Sequence, residues 1–399
     1  MKKIIIIFGI LVVLGLGAWI FLRDGEAPVV ENIRDVLPFG SGEDINIPAL
    51  PADDTVGEIT SFDNGAGAEG KVFRISNTPV AGFVILARES NTFARYVDRA
   101  TGHIFETNLE TNEKTRITNQ TMPQIYEAHF RADGSEVLMR SLDESGAINN
   151  LTLSLTAPRA TSTELYSISA TNLRGDIDSV LTGSGNTLFY VLKDTGTIVS
   201  STFTGSNLRT LFTSIFNNWR LERAGGNLIA YTKASAEASG FAYTLSSSGG
   251  SLSKLLGPLN GLTAIANSNG SRILYSYTEG GLTRLFARTT QNNTSNEILP
   301  ATIAEKCTWS AEENNVFFCG TPLSPISGRE PDNWYSGRAH FSDYVWRFDT
   351  DSEIAQLISN PKTDFDLDLD VYKPKLSAND EYLVFINKRD LTLWSIKLD

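Results

Sequence analysis

A short turn motif recurs through most of this chain and constrains its fold more than any other feature. In each copy an apolar strand leads into a tight polar turn, and a second strand rich in aromatic and branched residues follows. The clear copies are RADGSEVLM (131–139), TGSGNTLFY (182–190), RAGGNLIAY (223–231), NSNGSRILY (267–275), SAEENNVFF (310–318) and SANDEYLVF (377–385), with a weaker one at FVILARESNTFARYV (83–97). Most lie about 40–50 residues apart, the period of a four-stranded propeller blade. We therefore predict an all-β fold, a single β-propeller of seven four-stranded blades over residues 71–399.

A second hairpin follows the turn motif in several repeats, and large apolar residues occupy one equivalent position on its first strand. These residues are Ile104, Ile198, Trp346 and Trp394. Aromatic and branched side chains at repeating strand positions pack against the neighbouring repeats. We expect the four side chains to form core between blades rather than a functional aromatic set.

The segments HFRADGSEVLM and KLSANDEYLVF, each followed by a polar hairpin, resemble the WD-like β-propeller repeat of the TolB type. The resemblance extends over residues 71–399 and implies the propeller fold, but it implies little about activity. It also implies that ligands bind on the face that carries the loops between blades and between second and third strands. An intact Ser-Pro-Asp-Gly turn is absent, and among the turns the Asp-Gly pair occurs only at Asp133-Gly134.

The last repeat offers only three strands, and an early segment can supply the fourth. FRISN (73–77) precedes the first blade and matches the fourth-strand segments TRITN (115–119) and QLISN (356–360). We predict that residues 73–76 pair with the last blade and close the ring, which removes exposed sheet edges. We expect a propeller closed in this way to be a monomer.

The N-terminus predicts a membrane anchor. Residues 4–22 carry no charge and would span about 28 Å as a helix, which matches a bilayer core. Lys2 and Lys3 precede the run, so the positive-inside rule leaves the N-terminus in the cytoplasm and the propeller outside it, in the periplasm or at the cell surface. We assign residues 1–23 to a transmembrane anchor and residues 24–70 to a flexible linker. A cleaved signal peptide is the alternative, but the run exceeds the usual apolar region and no Ala-x-Ala site follows it.

The charge of the chain argues against nucleic acid as a partner. The formal net charge is −12, and no cluster of Lys and Arg follows Lys3. Nucleic-acid binding needs a basic face to neutralise phosphates. We therefore expect no nucleic-acid partner.

The two cysteines lie on opposite sides of one turn motif. Cys307 falls on the first strand and Cys319 on the second strand of the sixth repeat. Cross-strand neighbours lie within the Cα distance that a disulfide permits. We predict a disulfide, which closes a loop of about 13 residues and contributes on the order of 3 kcal/mol in the chain-entropy model. Two buried free thiols are the alternative.

An acidic stretch follows the sixth repeat. DFDLDLDVY (364–372) places an Asp at every second position between apolar residues, which is the pattern of a half-buried strand. We interpret it as a solvated acidic strand on the ligand-binding face. Calcium held by Asp364, Asp366 and Asp368 is the minority alternative, since hard cations need several oxygen ligands and an EF-hand would need Gly where Leu369 stands. We expect no other cofactor.

A long insertion in the sixth repeat provides the main candidate site. Residues 320–344 interrupt the pattern between its second and third strands, and long loops on a rigid scaffold commonly carry function. The predicted partner-binding residues are Arg329, Asp332, Trp334, Tyr335, Arg338, His340 and Asp343.

Enzyme signatures are missing from the sequence. There is no G-x-S-x-G elbow and no glycine-rich phosphate loop, and His103 and His129 fall inside repeat hairpins, where we expect structural roles. We favour a membrane-anchored scaffold that binds envelope or secreted proteins, or a glycan, and that is not an enzyme. The alternative is a propeller hydrolase or lyase that acts on a glycan or peptide through carboxylates on the expected ligand-binding face. A plain structural spacer is a third interpretation.

Overall fold

The described part of the chain folds into seven four-stranded antiparallel sheets, so the predicted all-β propeller of seven four-stranded blades is confirmed. A computed structural model describes residues 71–143, 146–159 and 165–398. Blades one to six each consist of four consecutive strands, and the first strand of each blade lies innermost. Blade seven combines the last three strands with the first strand of the fold.

The strands are assigned to the blades as follows. Blade one contains β2 (Val80–Arg88), β3 (Asn91–Asp98), β4 (Ile104–Asn108) and β5 (Lys114–Arg116). Blade two contains β6 (Ile125–Phe130), β7 (Glu136–Leu142), β8 (Ile148–Thr156) and β9 (Ser167–Leu173). Blade three contains β10 (Ile177–Thr182), β11 (Thr187–Leu192), β12 (Ile198–Thr202) and β13 (Arg209–Phe212). Blade four contains β14 (Trp219–Ala224), β15 (Asn227–Thr232), β16 (Ser239–Ser246) and β17 (Ser253–Asn260). Blade five contains β18 (Thr263–Ala266), β19 (Arg272–Glu279), β20 (Leu282–Thr289) and β21 (Ser295–Glu297). Blade six contains β22 (Cys307–Trp309), β23 (Val316–Pro322), β24 (Asp343–Asp349) and β25 (Ile354–Ser359). Blade seven contains β26 (Val371–Leu376), β27 (Tyr382–Asn387), β28 (Leu393–Lys397) and β1 (Val72–Arg74).

The two ends of the described fold meet in blade seven. Strand β1 runs antiparallel to β28, with Phe73 opposite Ser395. Ile75 N donates to the Leu393 carbonyl over 2.8 Å, and Ser76 Oγ accepts from Leu393 N over 3.0 Å. The segment that the sequence assigns to closure, residues 73–76, thus lies beside the last strand, although the regular strand begins one residue earlier.

The hydrophobic core lies between neighbouring blades. Seven buried clusters each join two adjacent sheets, as when Phe83 and Tyr96 of blade one pack against Val384 and Ile386 of blade seven. The predicted core residues follow this rule: Ile104, Ile198 and Trp394 are buried, and Trp346 is partly buried against the cluster of blades five and six. Because the apolar faces are used between the blades, the axis of the ring is left to polar side chains.

Short helical segments occur only around blade six in the described ranges. They are a 3₁₀ turn (Ala304–Lys306) before β22, helix α1 (Asp332–Tyr335) in the insertion, and helix α2 (Pro361–Phe365) after β25. None of the helices in residues 71–143, 146–159 and 165–398 has the length and apolar character needed to cross a bilayer. The predicted anchor (residues 4–22) and linker (24–70) lie outside the described residues.

Blade six also carries the predicted disulfide. Cys307 on β22 lies directly opposite Cys319 on β23, and their sulfur atoms are bonded. The prediction of a disulfide is therefore confirmed, and it joins the first and second strands of the blade that carries the insertion.

Candidate functional site

A funnel opens along the axis of the ring, where the first strands of the blades face one another. Its volume is about 900 Å³. The ionisable side chains that line it are Tyr126, Glu127, His129, Arg140, Asp178, Arg220, Glu222, Tyr231, Lys233, Glu305, Tyr335, Tyr372, Lys373, Lys375 and Lys388. Six of these are Lys or Arg and four are Asp or Glu, so the lining is more basic than acidic in a protein of net charge −12.

The mouth of the funnel lies on the face where second strands end and first strands begin. Lys233 and Lys388 directly follow the second strands of blades four and seven. Arg220 and Tyr372 are each the second residue of a first strand, β14 and β26. This is the face on which ligands were expected.

A β-bulge in β26 turns extra side chains into the funnel. Tyr372 pairs with Ile386 and Lys375 with Val384, so three steps along β26 match two along β27. Lys373 lies within the bulge and has a left-handed backbone conformation, with a φ of 49°. A bulge changes the direction in which side chains point. A left-handed conformation is strained for a residue other than glycine, and such strain is found most often at functional sites. As a result Tyr372, Lys373 and Lys375 all line the cavity.

Lys373 enters an ion-pair network with blade two. Its Nζ lies 3.0 Å from Glu127 Oε1, while Arg140 and His129 lie 2.7 and 3.3 Å from Oε2. Burial alone would raise the pKa of Glu127, but Lys373, His129 and Arg140 hold it well below its usual range. Burial lowers the pKa of His129, so its imidazole is neutral near pH 7. The sequence assigned His129 a structural role, and the structure places it in the funnel wall.

Lys375 has a different environment from Lys373. Its Nζ donates to the Phe83 carbonyl oxygen over 2.7 Å and has no carboxylate within ion-pair distance among the described residues. The side chain is open to the funnel and surrounded by blades one and seven. Burial lowers its pKa to about 8, and the positive charge of Lys373 acts in the same direction. An amine of this kind is partly neutral at mildly alkaline pH.

Burial raises the pKa of two further carboxyl groups in the funnel lining, Glu222 and Glu305. Burial raises the pKa of Glu222 to about 8, and the nearby Glu305 adds to this while a backbone hydrogen bond from Arg223 opposes it. Burial also raises the pKa of Glu305. Glu305 Oε1 accepts hydrogen bonds from Tyr335 Oη (2.9 Å) and Tyr231 Oη (3.2 Å). The funnel therefore offers a proton-donating carboxyl group at neutral pH.

The predicted insertion contributes one wall residue and several structural ones. Tyr335 reaches the funnel, but Trp334 is fully buried and Asp343 is 2% exposed, so neither can meet a partner. Asp332 accepts a hydrogen bond from Ala236 N (2.6 Å) and ties the insertion to blade four. The prediction of a partner-binding surface is wrong for Trp334 and Asp343, because the insertion uses them to pack onto the propeller.

The remaining insertion residues face outward. Arg329 pairs with Glu237 over 2.7 Å, and both side chains are 62% exposed. Arg338 is exposed. His340 is exposed, with Nδ1 3.7 Å from Asp370 Oδ2. A partner role for Arg329, Arg338 and His340 stays a prediction.

The acidic stretch is not the strand that its alternation predicted. Residues 361–365 form helix α2, and β26 begins only at Val371. Lys362 Nζ lies 2.7 Å from Asp366 and 3.1 Å from Asp368, and Asp364 accepts from Asn360 N. The apolar residues of the stretch do point inward, because the segment packs onto the core of blades six and seven.

Asp370 departs furthest from the prediction of a solvated acidic face. Its side chain is fully buried and contacts Lys306. For the calcium alternative at Asp364, Asp366 and Asp368, no cluster of three His, Cys, Asp or Glu side chains suited to a metal ion occurs in the described ranges.

Apart from Tyr335, the sequence did not point to the funnel residues as a site, because they come from separate repeats. One signal was available, since the first strand of the last repeat reads VYKPKL and places Lys-Pro-Lys where its counterparts in other repeats carry mainly apolar and small residues. Glu222 and Glu305 have no comparable mark, because each looks like an ordinary polar residue of a repeat.

No protein-family model matches the chain, and no curated protein matches it either. Solved structures similar in fold include an oligogalacturonate lyase from Vibrio parahaemolyticus, with 10% identity, a TM-score of 0.55, and coverage of 82% of this chain and 93% of that one. A second is an oligogalacturonate lyase in complex with manganese, with 10% identity, a TM-score of 0.54, and coverage of 83% and 94%. At this identity the similarity shows a shared propeller fold, and the TolB type stays a prediction.

Proposed function

We propose that the funnel binds an acidic carbohydrate and cleaves it by acid–base elimination, as a propeller lyase. The observation that carries the proposal is a set of cavity-lining lysines without a carboxylate within ion-pair distance among the described residues. These are Lys233, Lys375 and Lys388. Lys233 and Lys388, as cations without a carboxylate partner in a concave site of a protein with net negative charge, favour an anionic ligand.

The cavity supplies the groups that elimination from a uronic acid needs. A base removes the proton from the carbon beside the sugar carboxylate, and the freed electron pair forms a double bond as the glycosidic C–O bond breaks. Neutral Lys375 is the base and becomes an ammonium ion. Protonated Glu222 gives its proton to the departing oxygen and becomes a carboxylate. Lys233 and Lys388 hold the sugar carboxylates.

The similar folds are consistent with this substrate class, since two of them are oligogalacturonate lyases. One of those lyases is described in complex with manganese, and the described residues here do not fit such a site. His129 is the one imidazole in the funnel lining, and both oxygens of the adjacent Glu127 are engaged by Lys373 and Arg140. We assign no step to a metal.

A screen of acidic polysaccharides tests the proposal. Full-length protein in detergent is incubated with polygalacturonate, alginate and glycosaminoglycan chains, and ultraviolet absorbance reports the unsaturated sugar that elimination creates. We expect one class of polyuronate to give product, Glu222→Gln to give at least about 100-fold less, and Glu113→Gln on an exposed loop of blade one to match wild type. Saturated products would indicate hydrolysis, and no product from any polymer would overturn the proposal.

A second candidate is the scaffold that the sequence predicted, anchored through residues 4–22 and facing the outside of the cell. The exposed rim of the insertion favours it, with Arg329, Arg338 and the 72% exposed Leu323. Cross-linking in intact cells tests this role with an Arg329→Ala/Arg338→Ala variant, since removing the whole insertion would also remove the buried Trp334. A partner captured by wild type and lost in the variant supports the scaffold, and equal capture contradicts a role for this rim.

A further inference from the structure

A buried lysine lies between two buried carboxylates behind the funnel wall. The side chains of Lys306, Asp343 and Asp370 are all fully inaccessible to solvent. Lys306 Nζ lies 2.7 Å from Asp343 Oδ2 and contacts Asp370 Oδ1. Trp334 and Phe341 cover the amine, with ring centroids 5.0 and 5.1 Å from Nζ.

The two carboxylates have different hydrogen-bond environments. Both oxygens of Asp370 accept from Trp334 Nε1 at 3.1 Å, and Oδ2 also accepts from Phe341 N at 3.1 Å. Asp343 Oδ2 accepts from Val371 N at 2.7 Å, whereas its Oδ1 is buried without any partner. One oxygen of Asp343 is therefore held in place and the other is free to leave.

We propose that Lys306 and Asp343 condense to an intramolecular amide bond inside blade six. The geometry has the amine against the carboxyl group, and an ion-pair contact of this kind places nitrogen and carbon at roughly the 3–3.5 Å of a near-attack arrangement. The Val371 N–H stabilises the oxygen that stays as the amide carbonyl. This modification is independent of the function proposed for the funnel.

The step balances with one water as the only by-product. Asp370 takes a proton from the Lys306 ammonium, and the neutral amine attacks Cγ of a protonated Asp343. The C–N bond forms and the C–Oδ1 bond breaks. Oδ1 leaves as water, with its own proton and a second proton from the amine, and the products are a secondary amide and a protonated Asp370.

Burial favours the reaction. Three charged groups buried away from solvent are costly, and condensation replaces them by neutral groups whose hydrogen bonds are already present. Burial raises the pKa of Asp343, with Lys306 opposing and Asp370 reinforcing the shift, which favours the protonated carboxyl group that the condensation needs. The chain holds a matched counterexample: Lys362 also lies between two aspartates, but in water, where nothing favours condensation.

Peptide mapping of the full-length protein tests the proposal. The protein is reduced, alkylated and digested with trypsin, which cannot cut after an acylated lysine. We expect a branched peptide in which residues 289–329 are joined to residues 339–347, one water lighter than the two together. Cleavage after Lys362 should be normal. Lys306→Arg should give only the linear peptides.

Several outcomes would overturn the assignment. Complete cleavage after Lys306 with a free 339–347 peptide contradicts the bond. A branch that joins 289–329 to 363–375 instead places it on Asp370 and contradicts the choice of Asp343. Asp370→Asn should leave linear peptides in folded protein, which near-ultraviolet circular dichroism verifies, and complete linkage in that variant contradicts the role of Asp370 as base.

Discussion

Glu305 and Lys306 are consecutive residues that serve opposite sides of one wall. Glu305 faces the funnel, where two tyrosines hydrogen bond to it and the cavity stays open to solvent. Lys306 faces the closed cluster of two aspartates and two aromatic rings. Carboxyl groups and aromatic rings thus occur on both sides. Exposure to solvent separates the groups that can act on a ligand from the groups that can act only on each other.

The lysines make the comparison sharper. Lys375 has no carboxylate within ion-pair distance in the described structure, and burial lowers its pKa to about 8. Lys306 contacts two carboxylates, and its side chain is inaccessible to solvent. The Lys375 amine can exchange a proton with an incoming ligand, whereas the Lys306 amine can react only with groups of the protein itself.

The largest effect should come from the funnel. Lys375→Met removes the base, and we expect product formation to fall about 10²–10⁴-fold, the usual contribution of a general base. The measurement is the initial rate on whichever polyuronate the screen identifies. Lys193→Met, an exposed lysine between β11 and β12, serves as the control. A rate equal to that of the control would remove Lys375 from the mechanism.

For the buried cluster of Lys306, Asp343 and Asp370, the main effect of a substitution should be on the free energy of unfolding. Lys306→Met removes both the proposed amide and the cation between Asp343 and Asp370, and leaving buried carboxylates without a counter-charge typically costs about 3–5 kcal/mol. Urea unfolding, followed by tryptophan fluorescence, measures the change in the free energy of unfolding. A loss below about 1 kcal/mol, the range of exposed pairs, would show that the cluster is not closed to water.

The dependence of the reaction rate on pH should reflect the protonation of Lys375 and Glu222. Lys375 acts as a base only when neutral, and that fraction rises as the pH increases through about 8. Glu222 acts as an acid only when protonated, and that fraction falls as the pH increases through about 8. The rate should therefore peak near pH 8 and fall on both sides. A rate that rises steadily from pH 6 to 10 would contradict the role of Glu222.

The smallest effect should come from the exposed counterpart of the buried cluster. Lys362→Met removes contacts to Asp366 and Asp368 that lie in solvent, so the free energy of unfolding should match that of the wild type within experimental error. The same urea series measures it. A loss as large as that of Lys306→Met would mean that burial is not what separates the two lysines.

Most of the fold was predictable from the sequence because repeats encode it many times over. The turn motif predicted seven blades, the FRISN segment predicted which residues lie beside the last strand, and the position of Cys307 and Cys319 around one turn predicted the disulfide. Each of these features depends on local pattern or on similarity between repeats.

The site was less predictable because its residues come from different repeats and only the closed ring brings them together. The alternation of Asp with apolar residues predicted that Asp370 is solvated, yet Asp370 is buried as the partner of Lys306, 64 positions earlier. The insertion looked like a recognition loop because it is long and aromatic, but Trp334 serves as its anchor. Lys373 and Lys375 enter the funnel through a bulge, which a strand pattern does not reveal.

The most direct test of the central claim is ligand binding. Titration calorimetry of the full-length protein with an acidic oligosaccharide is compared between wild type and Lys233→Met/Lys388→Met, a variant that leaves the predicted acid and base in place. We expect wild-type binding that weakens as salt is added and at least a tenfold loss of affinity in the variant. Equal affinity in both proteins, or equal affinity for a neutral oligosaccharide, would contradict a funnel built for an anionic ligand.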